Sequence, residues 1–223
     1  MPNNSSPIKA VWSDFGGVLT PPIEQTFVEF CTRLGLDMGP LLEGMIAVAD
    51  DLGVPMMAPL DLALLTEVEW GRRISDHVER THGIRHDLGR FSDEWFKDRP
   101  TNGVMVDYLR ELRGRGYRIG MLTNNVREWE PHWRGMLPVE EIFDAVVNSC
   151  DVGVRKPDPA IFELAEHRFG LAPHECLLID DLEENTAGAR ARGWQAVTYV
   201  DDDRTRSELE ALLGNRIAAV GVL

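Results

Sequence analysis

The chain is poor in cysteine, in cations and in long apolar runs, and each shortage removes a class of function. Its three cysteines, Cys31, Cys150 and Cys176, are odd in number and widely spaced, which excludes a disulfide framework and a thiolate metal site. They read as reduced, packed thiols of a cytoplasmic protein. Lys and Arg number 23 against 37 Asp and Glu, a net charge of −14 over 223 residues. So acidic a chain is a poor partner for a nucleic-acid backbone or an anionic membrane surface, and an anionic ligand would need locally gathered cations or a metal. No apolar run approaches a membrane span, and Met1–Pro7, expected to fray, lacks the charged-then-apolar order of a signal peptide. The histidines have no metal-ligand spacing; His82 and His86 are parted by Gly83, which breaks a helix face. Internal repeats and low-complexity segments are also missing.

What is present suffices for a sizeable core, since 43% of the residues are hydrophobic. Lys9 to Ser13 is a short apolar run that ends in Asp14 and two glycines, which predicts a buried strand followed by a tight loop. Asp14 alone could simply hold the turn. After Pro21-Pro22 the texture changes, and Leu, Met and Phe recur at helical spacing (Phe27, Phe30, Leu34; Leu41, Leu42, Met45, Val48; Leu60, Leu64, Leu65, Val68) with no strand alternation. A connecting loop is expected over 49–59. The Met residues read as core filler, and Trp70 with Arg72 and Arg73 as a solvated helix face or, less simply, a substrate contact. From Gly103 onward helices and strands alternate: further strands are expected at 118–122, 143–148, 176–179 and 195–200, and helices over 104–112, 160–169, 185–192 and 205–213. Residues 217–223 read as strand or tail. Short connections between alternating elements mean a mostly parallel sheet covered on both faces. The expected architecture is therefore α/β: a Rossmann-like parallel sheet of about five strands with helices on both faces, formed by 1–20 and 100–223, plus an inserted helical cap at 21–99.

Polar signatures fall at equivalent places along this pattern. Asp14 follows the first strand, Thr123-Asn124 the second, Lys156 lies in the loop after the third, and Asp180-Asp181 follows the fourth. Parallel strands deliver their carboxyl ends to one edge, so these residues meet there. Gathered carboxylates repel unless a cation lies between them, and oxygen ligands without His or Cys select magnesium. A hydroxyl, a side-chain amide, glycine-loop N–H groups from Gly17 and one ammonium form a socket for a phosphate dianion. Asp14, in line with the phosphorus, can attack it and form an aspartyl phosphate that water then hydrolyses.

Asp14-Phe15-Gly16-Gly17-Val18-Leu19, Leu122-Thr123-Asn124, Arg155-Lys156-Pro157-Asp158-Pro159 and Ile179-Asp180-Asp181-Leu182-Glu183-Glu184-Asn185 together resemble the four ordered motifs of the haloacid dehalogenase-like hydrolases. The resemblance spans essentially the whole chain. It implies a Rossmann-like core, a small helical cap that sets substrate choice, magnesium, and most often hydrolysis of a phosphate ester of a small metabolite. By position it makes Asp14 nucleophile and metal ligand, Thr123 and Asn124 holders of the phosphoryl group, and Lys156 the neutralising cation. Asp181 is the more direct metal ligand of its pair, with Asp180 and Asn185 beside or behind it and the Gly16 carbonyl as a further ligand. A monomer or a homodimer fits, the exposed Trp and Met of the insert leaving room for the latter.

One position departs from the pattern. Phosphatases of this family usually carry a second Asp two residues after the nucleophile, as general acid; here it is Gly16. Such a group is typically worth about 10²–10⁴ in rate. Three consequences stay open: a leaving group that needs little protonation, a proton from a cap residue such as Asp50, Asp51 or Glu67, or poor turnover. A metal-independent 2-haloacid dehalogenase, or a phosphate-binding module of low activity, are the alternatives to a phosphatase.

Overall fold

The computed structural model describes residues 8–213; the segments 1–7 and 217–223, for which fraying and a strand or tail are expected, lie outside the described residues. Five strands, β1 (Ala10–Ser13), β2 (Arg118–Thr123), β3 (Ala145–Asn148), β4 (Cys176–Asp180) and β5 (Gln195–Thr198), form one sheet in the order β3-β2-β1-β4-β5. Every neighbouring pair is parallel. The expected α/β sheet is thus present, with β1 at its centre and all five carboxyl ends on one edge. Each residue of β1 is buried, because a strand covered on both faces needs a continuous apolar run rather than alternation. β3 starts two residues later than expected, since Phe143 closes a preceding helical turn through its N–H to Val139 O at 2.9 Å.

Residues 23–95 contribute five helices: α1 (Ile23–Leu34), α2 (Met38–Leu52), α3 (Ala58–Asp61), α4 (Glu67–His82) and α5 (Phe91–Trp95). The connecting loop expected over 49–59 is shorter than that. Nothing in Ala49–Leu52 breaks a helix, and α2 runs on until Gly53 adopts the left-handed conformation (φ 66°) that ends it. Conversely, the helix expected through 60–68 is broken, because Thr66 caps a new one by accepting the Glu69 N–H. Gly44 lets α2 lie close against α4; a Cβ there would stand 2.8 Å from Ile74 Cγ2. Trp70 forms no part of a solvated or substrate face. It is fully buried and meets Phe91 edge-on at 5.2 Å, while Arg72 and Arg73 pair with Asp76 and Glu69 on the outer side. Trp95 is likewise buried, so the tryptophans of the insert offer no dimer surface, whereas Met38 and Met56 are exposed.

The remaining helices are α6 (Gly103–Gly114), α7 (Glu130–Met136), α8 (Val139–Ile142), α9 (Ser149–Val152), α10 (Pro159–Phe169), α11 (Glu183–Arg192) and α12 (Asp202–Leu213). Side chains of α6 and α12 share a core with Val11, Ile119, Met121 and Ile179 on one sheet face, a core that continues into the inserted helices through Phe15, Phe30, Trp70 and Phe91. On the other face α10 and α11 enclose Trp12, Leu122 and Leu178. Trp12 lies across β2 at Gly120, where a Cβ would come within 2.2 Å of the indole. That clash accounts for a glycine in mid-strand.

Candidate active site

The central strand places Asp14. Its N–H continues the ladder one residue beyond β1 by donating to Ile179 O at 2.8 Å, and its Oδ1 accepts the Phe15 N–H at 2.7 Å, so backbone and carboxylate are both fixed. Across the rim, Asp180 ends β4 and Asp181 follows it. One carboxylate oxygen from each of Asp14, Asp180 and Asp181 lies within 4.8 Å of the others. Gly17 permits this approach: it holds φ at 72°, and a Cβ there would stand 2.0 Å from Asp181 Oδ2. Gly16 has no such backbone demand, and a Cβ there would meet only the Ile23 side-chain end, at 3.1 Å.

Lys156 is fully buried, and its Nζ lies 3.1 Å from Asp14 Oδ1 and 2.5 Å from Asp180 Oδ2. The loop that carries it is anchored twice. The Asn124 side chain accepts the Lys156 N–H at 2.8 Å and donates to its carbonyl at 3.0 Å, a two-point clamp on one residue's main chain. Pro157 sits against α11, close enough that a Cβ on Gly188 would approach Pro157 Cβ to 2.8 Å. Asp180 is as fully occupied: Oδ2 takes Lys156, and Oδ1 accepts the Leu182 N–H at 3.0 Å and Asn185 Nδ2 at 2.8 Å. Asp181 by contrast is only partly buried. Thr123 is buried at the end of β2, in register with Asn148.

The charges do not balance. Burial, reinforced by Asp180, pushes the Asp14 carboxyl up to about 6 against the pull of Lys156. Burial and the neighbouring charges of Asp14 and Asp180 push Asp181 up to about 7. For Lys156 burial works downward, but Asp14 and Asp180 outweigh it and the net direction is up. One ammonium thus serves three carboxylates. An arrangement of hard oxygen donors short of positive charge, with a glycine keeping Asp181 within reach of Asp14, fits a divalent cation such as magnesium.

The sequence-predicted residues Asp14, Gly16, Gly17, Thr123, Asn124, Lys156, Asp180, Asp181 and Asn185 all lie on this rim. The three carboxylates of the inserted helices named from sequence have other surroundings. Asp50 and Asp51 are exposed on α2, and both oxygens of Glu67 hold Ser92 at the start of α5, through its N–H and, at 2.9 Å, its hydroxyl. Two residues were not singled out from sequence. Asp61 on α3 is buried with Oδ2 3.2 Å from Arg155. Arg99 donates from Nη2 to Thr20 Oγ1 at 2.8 Å and to Pro21 O at 3.3 Å, with Trp95 5.4 Å below its guanidinium, and so clasps the two chain segments that lead into and out of the insert. Nothing in a one-dimensional pattern marks either, because each acts across sequence separations of about 80–90 residues. A cleft of about 270 Å³ opens beside Gly17, lined by Thr20, Gln25, Asn102 and Tyr199. The larger groove, about 590 Å³ around Arg113, Gly116 and Asp144, lies where the chain enters β2 and β3, at the opposite edge of the sheet from these acids.

The described residues contain no helix long and apolar enough to cross a membrane. The chain is 30% identical over 134 residues to phosphoserine phosphatase of Thermus thermophilus, covering 58% of this chain and 53% of that one. It is also 30% identical over 211 residues to mouse acyl-CoA dehydrogenase family member 10, covering 92% of this chain and 19% of the mouse protein. It therefore spans about half or less of the length of these two curated relatives. Among solved structures it superposes on a family enzyme from Bacteroides thetaiotaomicron crystallised with magnesium and inorganic phosphate (TM-score 0.60, 22% identity, 86% of this chain and 94% of that one). It superposes equally on L-2-haloacid dehalogenase from Xanthobacter autotrophicus (TM-score 0.61, 16% identity, 92% and 83%). Residues 8–193 match the haloacid dehalogenase-like hydrolase family, and this chain belongs to that family of hydrolases.

Proposed function

We propose that this hydrolase cleaves the phosphate monoester of a small metabolite by way of an aspartyl phosphate on Asp14, with helices α1–α5 as a cap over the sheet edge. The observation that carries the reading is the meeting of Asp14, Asp180 and Asp181 within 4.8 Å around a single buried ammonium. Asp14 and Asp181, with the Gly16 carbonyl, would hold magnesium, which when bound offsets the charge of the carboxylates and of the phosphate. Asp180 is instead a positioning residue. Its oxygens are spent on Lys156, Asn185 and the Leu182 N–H, so it sets the ammonium beside the nucleophile. Lys156 neutralises Asp14 enough for its oxygen to approach an anionic phosphorus, and Thr123 with the backbone of the glycine loop receives the phosphoryl oxygens. Asn124 contributes through its clamp on Lys156 and through its main chain.

Phosphatase relatives, among them a glyceraldehyde 3-phosphate phosphatase, support a small phosphorylated substrate. A dehalogenase would use Asp14 and Lys156 yet leave Asp181 without a task. Three buried free thiols agree with a reducing compartment such as the cytoplasm. The test is hydrolysis of p-nitrophenyl phosphate with and without magnesium. Metal-dependent turnover abolished by Asp14→Asn is expected. Metal-independent release of halide from 2-chloropropionate, with no phosphatase activity, would overturn the proposal.

A further inference from the structure

One carboxylate on the rim has no part in the scheme above, and it comes from the inserted helices rather than the sheet. Asp61 ends the four-residue helix α3 and is only 4% exposed. It is held against the sheet edge at both ends. Its main-chain oxygen accepts Ser149 Oγ at 2.6 Å, and the same hydroxyl accepts the N–H of Asn125, the residue after Thr123-Asn124, at 3.1 Å. Its Oδ2 lies 3.2 Å from the guanidinium of Arg155, the residue before Lys156. The residue therefore bridges the loops that carry the phosphate-binding and neutralising residues, its main chain toward one and its carboxyl toward the other, and the carboxyl is within electrostatic reach of Asp14 and Lys156 themselves. Position 16, two residues after Asp14, offers no side chain.

We propose that Asp61 is the acid–base catalyst of this hydrolase, standing in for the carboxylate absent at position 16. The inference rests on the aspartyl-phosphate reading above. In the first half-reaction an Asp14 oxygen bonds to phosphorus as the ester O–P bond breaks, and the Asp61 proton passes to the departing alcohol oxygen. In the second, Asp61 takes a proton from water as the water oxygen bonds to phosphorus and the Asp14–phosphorus bond breaks. Inorganic phosphate leaves, and Asp14 and Asp61 return to their starting forms. Burial lifts the Asp61 carboxyl to about 7, with Arg155 and Lys156 pulling down and Asp14 pushing up, so both of its forms are populated near neutrality. The Ser149 hydroxyl meets the main-chain oxygen of Asp61 and does not titrate in this range. The competing explanation is that Asp61 and Arg155 form an ion pair that docks α3 and does nothing else.

The experiment compares, with magnesium present, the wild-type chain, Asp61→Asn, Arg155→Gln and the double variant Asp61→Asn/Gly16→Asp. Two substrates are used: ethyl phosphate, whose leaving group needs a proton, and 2,4-dinitrophenyl phosphate, whose leaving group does not. Asp61→Asn should lose about 10²–10⁴ in turnover of ethyl phosphate. It should keep the initial burst of one equivalent of dinitrophenolate and then stall, because water activation is lost. Gly16→Asp in the double variant should restore ethyl phosphate turnover, which a folding defect would not allow. Equal losses in ethyl phosphate turnover and in the dinitrophenolate burst, no loss at all, or an Arg155→Gln variant that reproduces the Asp61→Asn pattern would overturn the assignment. A wild-type protein inert toward both esters would overturn the phosphatase reading itself, and Asp61 with it.

Discussion

Replacing Gly17 by Ala probes the joint between the glycine loop and the carboxylates proposed to hold magnesium. The added Cβ would lie 2.0 Å from Asp181 Oδ2 and 2.3 Å from its Cγ. Carbon atoms need about 3.5 Å, so the carboxyl carbon must retreat by about 1 Å, while metal–ligand distances tolerate about 0.2 Å. Left-handed backbone at an alanine adds about 1–2 kcal/mol of strain, which for a chain of this size lowers Tm by roughly 2–8 °C. The two effects separate in thermal melts with and without magnesium. At a concentration about 100-fold above Kd, bound magnesium should stabilise the wild type by about 2.7 kcal/mol, or roughly 5–10 °C. If displacement of Asp181 weakens binding by about 100-fold, only about 0.4 kcal/mol of that remains, close to 1 °C. A Gly17→Ala variant that keeps the full magnesium-induced shift would refute the placement of Asp181 among the ligands.

Other perturbations follow from the same geometry. Lys156→Met strands the buried carboxylates of Asp14 and Asp180, and should cost about 3–5 kcal/mol in urea unfolding at pH 8 and abolish turnover; a loss below about 1 kcal/mol would contradict the ion-pair account. Asp61 has a carboxyl pKa raised from 3.8 to about 7, so ionisation disfavours the folded state: its penalty is absent below pH 4, grows as the unfolded chain ionises, and is complete above pH 7. Relative to wild type, Asp61→Asn should therefore gain stability with rising pH, by up to ~4 kcal/mol between pH 4 and 8 at about 1.36 kcal/mol per unit; a pH-independent difference would refute the shift. Gly120→Ala pushes a methyl into the Trp12 indole and should cost at least about 1–3 kcal/mol without changing magnesium binding, read from the same melts.

The sheet and the strand-end residues were legible because parallel topology converts sequence order into position. Once 9–13, 118–122 and 176–179 read as buried strands, Asp14, Thr123 and Asp180 had to share an edge. The division of labour between Asp180 and Asp181 was less so, since it rests on which oxygens Lys156, Asn185 and the Leu182 N–H occupy. In the insert, apolar spacing located helices but not their ends: α2 passes through Asp50 and Asp51, and Thr66 starts a helix that the Leu60–Val68 spacing hides. Trp70 next to two arginines looked like a surface from its neighbours, yet a helix turns 100° per residue and points it inward. Asp61 was invisible for a different reason. An acid between Leu60 and Leu62 reads as a polar face, and only the contacts with Ser149 and Arg155, some 90 residues away, bring it to the rim.

The central claim is that Asp14 carries the phosphoryl group during turnover. Acid-quenched reactions with a phosphate ester and magnesium, digested and weighed by mass spectrometry, test it directly. The peptide containing Asp14 should gain the mass of one phosphoryl group, and Asp14→Asn or removal of the divalent ion should erase that gain. Sustained hydrolysis with the Asp14 peptide unmodified, or with the phosphoryl group on another residue, would contradict it.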